Sequence, residues 1–210
     1  MATMSTTPIA LYAIISMLLS MAITAQANDI GSGKPKETDL MVEPCKNASS
    51  YSFNLNNVKQ EFCLSTLRSG NRSFKAKDHN NLVLIAIDIL KGRIPTASSK
   101  VEKMLQNSMK GTVMMRALSF CKLDYDVVVR IINICDAMIR DYHGCNGGLG
   151  GLQSFELPHC VERAVLPAEN CGSELERDMP GAEALVNENV ELVMLVNLNY
   201  ALLAPYDTND

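Results

Sequence analysis

One group of side chains in this sequence has metal-ligand character: His143, Cys145, His159 and Cys160. Two imidazoles and two thiolates form a ligand set that can hold zinc tetrahedrally. The competing interpretation is a Cys145–Cys160 disulfide with two exposed histidines, which requires an oxidising compartment. Because the chain has seven cysteines and begins with a secretory-type segment, we predict the disulfide, no metal site and no cofactor.

The residues that could perform catalysis are few. A cysteine nucleophile needs a free thiolate beside a base, and the candidate free thiol is Cys135. It falls on the apolar stripe of a predicted helix, so we predict that it is free, buried and unreactive. Carboxylates at Glu174, Glu176 and Asp178 lie in a polar connection where nothing should perturb their pKa values. The sequence therefore predicts no catalytic residues and a protein that is not an enzyme.

The amino terminus is typical of a secretory signal peptide. The first 27 residues contain no charged side chain, and the apolar run Ile9–Ala25 ends in the cleavage motif Ala25-Gln26-Ala27. A signal anchor is the alternative, but a run of 17 residues that includes Ser and Thr is at the short limit for a membrane span. We predict a signal peptide over 1–27, a flexible leader over 28–43 and one helical domain over 44–205. The net charge of −4 favours neither nucleic acid nor an anionic membrane as partner.

The helical domain is organised around one long predicted helix, from Thr112 to Tyr142. About thirty residues without Pro or Gly are long for a globular helix and normal for a bundle. Eight apolar side chains at steps of three or four residues form one stripe: Val113, Ala117, Cys121, Tyr125, Val128, Ile132, Cys135 and Ile139. Charged residues, Asp136 among them, are predicted to keep the other faces in water.

Four further helical segments are predicted around this helix. They are a short hairpin within Pro44–Ser69, a helix over Asn80–Met109 that should kink or break near Pro95, a weak helix over Ser154–Ala168, and a last helix over Gly181–Ala204 with two apolar tracks. No period-2 alternation bounded by hairpin turns occurs. The fold class is all-α: an up-and-down four-helix bundle with an N-terminal helical hairpin, stabilised by disulfides.

Four features of the sequence resemble the plant invertase and pectin methylesterase inhibitor family. They are the Cys45 and Cys63 pair around a short hairpin, the segment RALSFCKLDYDVV around Cys121, Cys171 followed by Asn189 in NENVELVMLVNLNYALL, and the signal peptide. The resemblance covers Cys45 to the C-terminus. It implies the disulfides Cys45–Cys63 and Cys121–Cys171, and a secreted, noncatalytic inhibitor that forms a 1:1 complex with a cell-wall enzyme.

The sequence also departs from this family. Cys135, Cys145 and Cys160 are additional, and the interval between Cys121 and Cys171 is longer than usual. Invertase-directed members carry a Pro-Lys-Phe insert after the second bundle helix, whereas no Lys or Arg lies between Arg140 and Arg163 here. We therefore expect pectin methylesterase as the target rather than acid invertase. A secreted bundle without inhibitory activity remains the alternative.

Two triplets fit the N-glycosylation pattern, at Asn47-Ala48-Ser49 and at Asn71-Arg72-Ser73. Both are consistent with passage through the secretory pathway.

Cleavage after Ala27 should give a mature chain that begins at Asn28. Expression in a eukaryotic secretory host followed by amino-terminal sequencing of the protein in the medium checks this. A mature protein that still began at Met1 would contradict the signal-peptide assignment.

Overall fold

The computed structural model describes residues 39–51, 58–70, 75–142, 156–175 and 181–206. Seven α-helices form within these ranges: α1 Asp39–Ser50, α2 Gln60–Ser69, α3 His79–Asn107, α4 Val113–Asp141, α5 Glu156–Glu162, α6 Val165–Leu175 and α7 Glu183–Leu203, followed by the 3-10 turn Ala204–Tyr206. The described residues include no strand. The all-α prediction is confirmed. The predicted signal peptide, residues 28–38 of the leader, Asn71, His143, Cys145, Glu176 and Asp178 lie outside the described ranges.

Helices α3, α4, α5–α6 and α7 make the four-helix bundle, in which α5 and α6 succeed one another as the third member. Helices α1 and α2 pair as the predicted hairpin and pack on α3 and α7. The turn from α3 into α4 passes through Gly111, whose φ of +81° is a conformation that side chains with a Cβ disfavour. Thr112 then caps α4 by accepting a hydrogen bond from the Met115 amide.

Helix α4 matches the predicted long helix to within one residue at each end. Seven of the eight predicted stripe residues are buried, and Val113 is the exception at 70% exposed. Val113 is the first residue of the helix, where no neighbouring helix covers it. Asp136 was predicted to be in water, but it is only 7% exposed. It can be buried as a carboxylate because Lys91 and Arg140 both contact it.

The C-terminal half of helix α7 is buried on almost all sides. Every residue from Leu195 to Leu203 is buried, including Asn197 and Asn199. The amide of Asn199 is accommodated because its Nδ2 donates to the carbonyls of Ala86 and Leu195, at 3.3 and 2.8 Å. The two predicted apolar tracks therefore reflect a helix that packs on several neighbours at once.

The structure corrects two predicted boundaries. Helix α3 was predicted to kink or break near Pro95, and it does not break there: it runs from His79 to Asn107, with Pro95 at an exposed position. Helix α1 begins at Asp39 and buries Met41, so the helical domain starts inside the segment that was predicted as a flexible leader.

Three disulfides brace the described chain. The structure pairs Cys45 with Cys63 and Cys121 with Cys171, as the family resemblance implies. The third bridge joins Cys135 to Cys160, so the predicted Cys145–Cys160 pair and the free Cys135 are wrong. Cys135 is on the buried stripe of α4 and Cys160 is on the inner side of α5, and their Cα atoms are 5.6 Å apart.

Replacing Cys135 and Cys160 with Ala should lower the free energy of unfolding by about 3 kcal/mol, because the bridge closes a loop of roughly 26 residues in the unfolded chain. Chemical denaturation measures this, and peptide mapping without reductant identifies the pair. Cys145→Ser is the matched control and should leave stability unchanged. A Cys145–Cys160 peptide would contradict this pairing.

Candidate functional site

Helix α4 has a second apolar stripe, and this one faces solvent. Phe120, Leu123, Val127 and Ile134 are between 43 and 61% exposed, and Val113 extends the row at the start of the helix. Their intervals of 7, 3, 4 and 7 residues place them on one side of α4. Large exposed apolar side chains grouped on one side of a helix are unusual on a monomer surface and often mark interaction sites.

Two exposed arginines occupy the gaps in this row. Arg116 lies between Val113 and Phe120, and Arg130 lies between Val127 and Ile134. The resulting surface is called the α4 face below and consists of Val113, Arg116, Phe120, Leu123, Val127, Arg130 and Ile134. It is roughly 30 Å long at 1.5 Å per residue.

The five apolar side chains of the α4 face are each between 43 and 70% exposed, and clustered apolar exposure of this kind on a monomer is often functional. A standard interface buries about 800 Å² on each partner, with an apolar core and a polar rim. The α4 face has the make-up of such a core, since its apolar side chains are interspersed with arginines and not with acidic residues. Leu166 on the neighbouring helix α6 is also exposed, at 65%.

The side of α4 that faces α5 and α6 is held by covalent bonds. Cys121–Cys171 joins α4 to α6, and Cys135–Cys160 joins α4 to α5. These bridges lie 14 residues apart on α4, roughly 21 Å along its axis. They fix both the position and the rotation of the helix.

A buried hydrogen-bond chain ties the same region to α7. The Tyr125 hydroxyl donates to Asn189 Oδ1 at 2.9 Å, and Asn189 Nδ2 donates to the Ala168 carbonyl of α6 at 3.1 Å. Gly172 makes room for this amide, since a Cβ there would lie 2.7 Å from Asn189 Nδ2. Burial, with the nearby Glu188 and Asp124 charges, raises the pKa of Tyr125, which therefore remains a neutral donor.

Ion pairs hold the opposite side of α4 to α3. Lys91 Nζ lies 2.5 Å from Asp136 Oδ2, and Arg140 bridges Asp136 and Asp88 at 2.7 and 2.6 Å. Nearer the other end of α4, Lys122 pairs with Glu102 at 2.9 Å. With disulfides on one side and ion pairs on the other, the α4 face is presented by an anchored helix.

Among the residues that suggested chemistry, those within the described ranges do not form a reactive site. Cys160 is in a disulfide, and His159 Nδ1 is 2.9 Å from Glu162 on its own helix. Among the described residues no group of three or more His, Cys, Asp or Glu could hold a metal ion. Asn47 is an exposed residue of α1.

A groove of about 570 Å³ lies where the α1–α2 hairpin meets the bundle. Tyr51, His79 and Tyr206 line it, and His79 Nε2 is 2.7 Å from the Leu202 carbonyl. The His79 and Tyr206 rings have their centroids 5.9 Å apart, and the Tyr51 ring packs on Tyr200 with centroids 5.7 Å apart. The first contact links the start of α3 to the turn after α7, and the second links the end of α1 to α7.

Sequence reasoning missed the α4 face. The recurrence of Phe120, Val127 and Ile134 every seven residues, with Leu123 between them, was a readable signal. Because the buried stripe already accounted for most of the apolar residues of this helix, no prediction was made for the second row.

One carboxyl group beside this face is electrostatically perturbed. Partial burial, reinforced by the negative charge of Glu174 on α6, raises the pKa of Asp124. Asp124 follows Leu123 directly and lies where α4 meets α6. Ionised Asp124 therefore weakens the α4–α6 contact, and its protonation strengthens that contact.

The fold and the face together define a class: a disulfide-braced helical bundle with an exposed apolar row on one anchored helix. The fold is similar to the crystal structure of a pectin methylesterase inhibitor from Arabidopsis thaliana, with a TM-score of 0.52 and 15% sequence identity, over 80% of this chain and 95% of that one. At this identity the likeness shows the fold alone. No family model matches the sequence. No curated protein matches it either.

The described helices include none that is long and apolar enough to cross a bilayer. The three disulfides are typical of proteins that mature in an oxidising compartment.

Asp124→Asn should raise the thermal unfolding midpoint at neutral pH, because it removes a carboxylate that burial and Glu174 disfavour. The folded-state pKa of Asp124 is raised, so the wild-type protein binds this proton more tightly when folded and gains relative stability as pH falls through that pKa. The advantage of the variant should therefore shrink on acidification. Thermal melts of both proteins between neutral pH and about pH 4 test this. Glu156→Gln, on the exposed start of α5, is the control, and an advantage that did not change with pH would contradict the assignment.

Proposed function

We propose that this protein is a secreted, noncatalytic inhibitor of a cell-wall enzyme, with pectin methylesterase as the preferred target. The observation that carries the proposal is the α4 face, an exposed apolar row on a helix that is held by two disulfides. The structural likeness to a pectin methylesterase inhibitor and the sequence resemblance to that family support the same function.

Inhibition would occur by occlusion. An α-helical face is a rigid, gently convex surface that can cover an elongated cleft without rearranging, so little conformational entropy is lost on binding. Phe120, Leu123 and Val127 lie at the centre of the α4 face and would be buried most completely. Aromatic and aliphatic anchors at the centre of an interface usually account for most of its binding energy.

The preference for pectin methylesterase over acid invertase rests on shape and sequence. A long apolar row suits a polysaccharide-binding cleft, whereas plugging a small sugar pocket requires a projecting group. The connection between α4 and α5 has no Lys or Arg, so it lacks the basic insert of the invertase-directed proteins that the sequence otherwise resembles.

An acid invertase inhibitor is the second candidate, and a bundle with no inhibitory activity is the third. Both would keep the fold, the disulfides and the secretory route, and they differ only in what covers the α4 face. The proposal places the protein outside the cell, in the plant cell wall, as a monomer that binds its target 1:1. It requires no nucleic acid, membrane or cofactor, and a glycan at Asn47 would be compatible with secretion.

Wild-type protein should inhibit pectin methylesterase in mildly acidic buffer more strongly than it inhibits acid invertase. The double variant Phe120→Asp/Leu123→Asp should lose at least about 100-fold in inhibition, because two central apolar contacts are replaced by desolvated charges. Titration of enzyme activity against inhibitor concentration gives both constants.

Val190→Asp on α7 is the matched control, since Val190 and Phe120 are both 48% exposed. It should inhibit like the wild type, and circular dichroism should show all variants folded. Strong inhibition of invertase with no effect on pectin methylesterase would reverse the order of targets. Full inhibition by the Phe120/Leu123 variant would show that another face binds.

A further inference from the structure

The two arginines of the α4 face constrain what can cover it. Arg116 and Arg130 are exposed, and no ion pair joins either of them to another residue within the described ranges. The basic residues of α4 that do form ion pairs, Lys122 and Arg140, lie on the side toward α3. The cations on the α4 face are therefore available to a partner.

A purely apolar partner would not fit this face. Covering the row would remove Arg116 and Arg130 from water, and a guanidinium group cannot escape the desolvation penalty by losing its proton. An unpaired charge in an interface is strongly unfavourable, whereas a carboxylate in fork geometry restores two hydrogen bonds and the charge balance. The arginines therefore require acidic groups on whatever binds there.

A second copy of this chain does not supply them. In parallel self-association, Arg116 would meet Arg116 and Arg130 would meet Arg130. In antiparallel association about the midpoint of the face, Arg116 of one copy would lie opposite Arg130 of the other. Both arrangements oppose like charges and leave the arginines without carboxylates.

We propose that the α4 face binds a protein surface with an apolar centre and two flanking carboxylate groups, one for each arginine. Arg116 and Arg130 are 14 residues apart, so the carboxylates should lie roughly 21 Å apart along the axis of α4. The inference rests on the proposed inhibitor function and specifies its target: the rim of the occluded cleft is acidic at two points. The chain as a whole has a net charge of −4, so these two cations, rather than overall charge, would direct such a partner.

The test is charge reversal. Arg116→Glu/Arg130→Glu is compared with Lys46→Glu/Lys103→Glu, which makes the same change in net charge at exposed positions of α1 and α3. Inhibition constants against pectin methylesterase and acid invertase are measured at low and high salt, roughly 0.02 and 0.5 M. The arginine variant should lose about 100-fold or more at low salt, and the lysine variant should stay within about threefold of wild type.

Arg116→Lys/Arg130→Lys should inhibit more weakly than wild type but more strongly than the Glu variant, because it keeps the charges and loses the fork geometry. Thermal melts should show every variant folded. Wild-type inhibition should weaken as salt is added. If wild type inhibits and the arginine and lysine reversals behave alike, the acidic-rim proposal is overturned and the inhibitor function stands. If wild type inhibits neither enzyme, the inhibitor function fails, and the acidic target fails with it.

Discussion

The arrangement of the bundle depends on the two disulfides that clamp α4 against α5 and α6. Cys121–Cys171 and Cys135–Cys160 join α4 to two helices at points roughly 21 Å apart along its axis, so together they constrain both its position and its rotation. The ion pairs to α3 and the Tyr125–Asn189 hydrogen bond then act on a helix whose position is already set. Because α4 is fixed in this way, the side chains it presents to solvent keep their relative positions before any partner arrives, and binding need not order them.

Much of the fold could be predicted because apolar spacing reports helices directly. The stripe of α4 from Ala117 to Ile139 and the length of the helix were both readable. The pairing of Cys135 was not, because proximity in sequence favoured Cys145 for Cys160 while burial on facing helices decided the outcome. Asp136 was misassigned for a related reason: its burial depends on Lys91, which is 45 residues away and is brought close only by the packing of α3 on α4.

The α4 face shows a more general limit of pattern reasoning. Helices α4 and α7 each have two apolar tracks. The presence of two tracks in the sequence therefore does not show which of the two helices keeps one track exposed. In α7 both tracks are buried from Leu195 onward, because several helices surround it, whereas in α4 the row through Phe120 and Val127 remains in solvent. The periodicity of a sequence predicts which sides of a helix are apolar. Which of those sides stays exposed depends on how many other helices pack around it, and that number is a property of the whole fold.

The positions of the bridges also determine how the chain responds to being cut. Both Cys121–Cys171 and Cys135–Cys160 join residues before the connection of α4 to α5 with residues after it. A protease that cleaved this connection anywhere between residues 142 and 156 would produce two polypeptides that stay covalently attached at two points. The nicked protein would keep α4 beside α5 and α6, because the two disulfides would still join the helices after the backbone between them was cut. The most glycine-rich segment of the sequence is thus one whose cleavage would not separate the helices on either side of it.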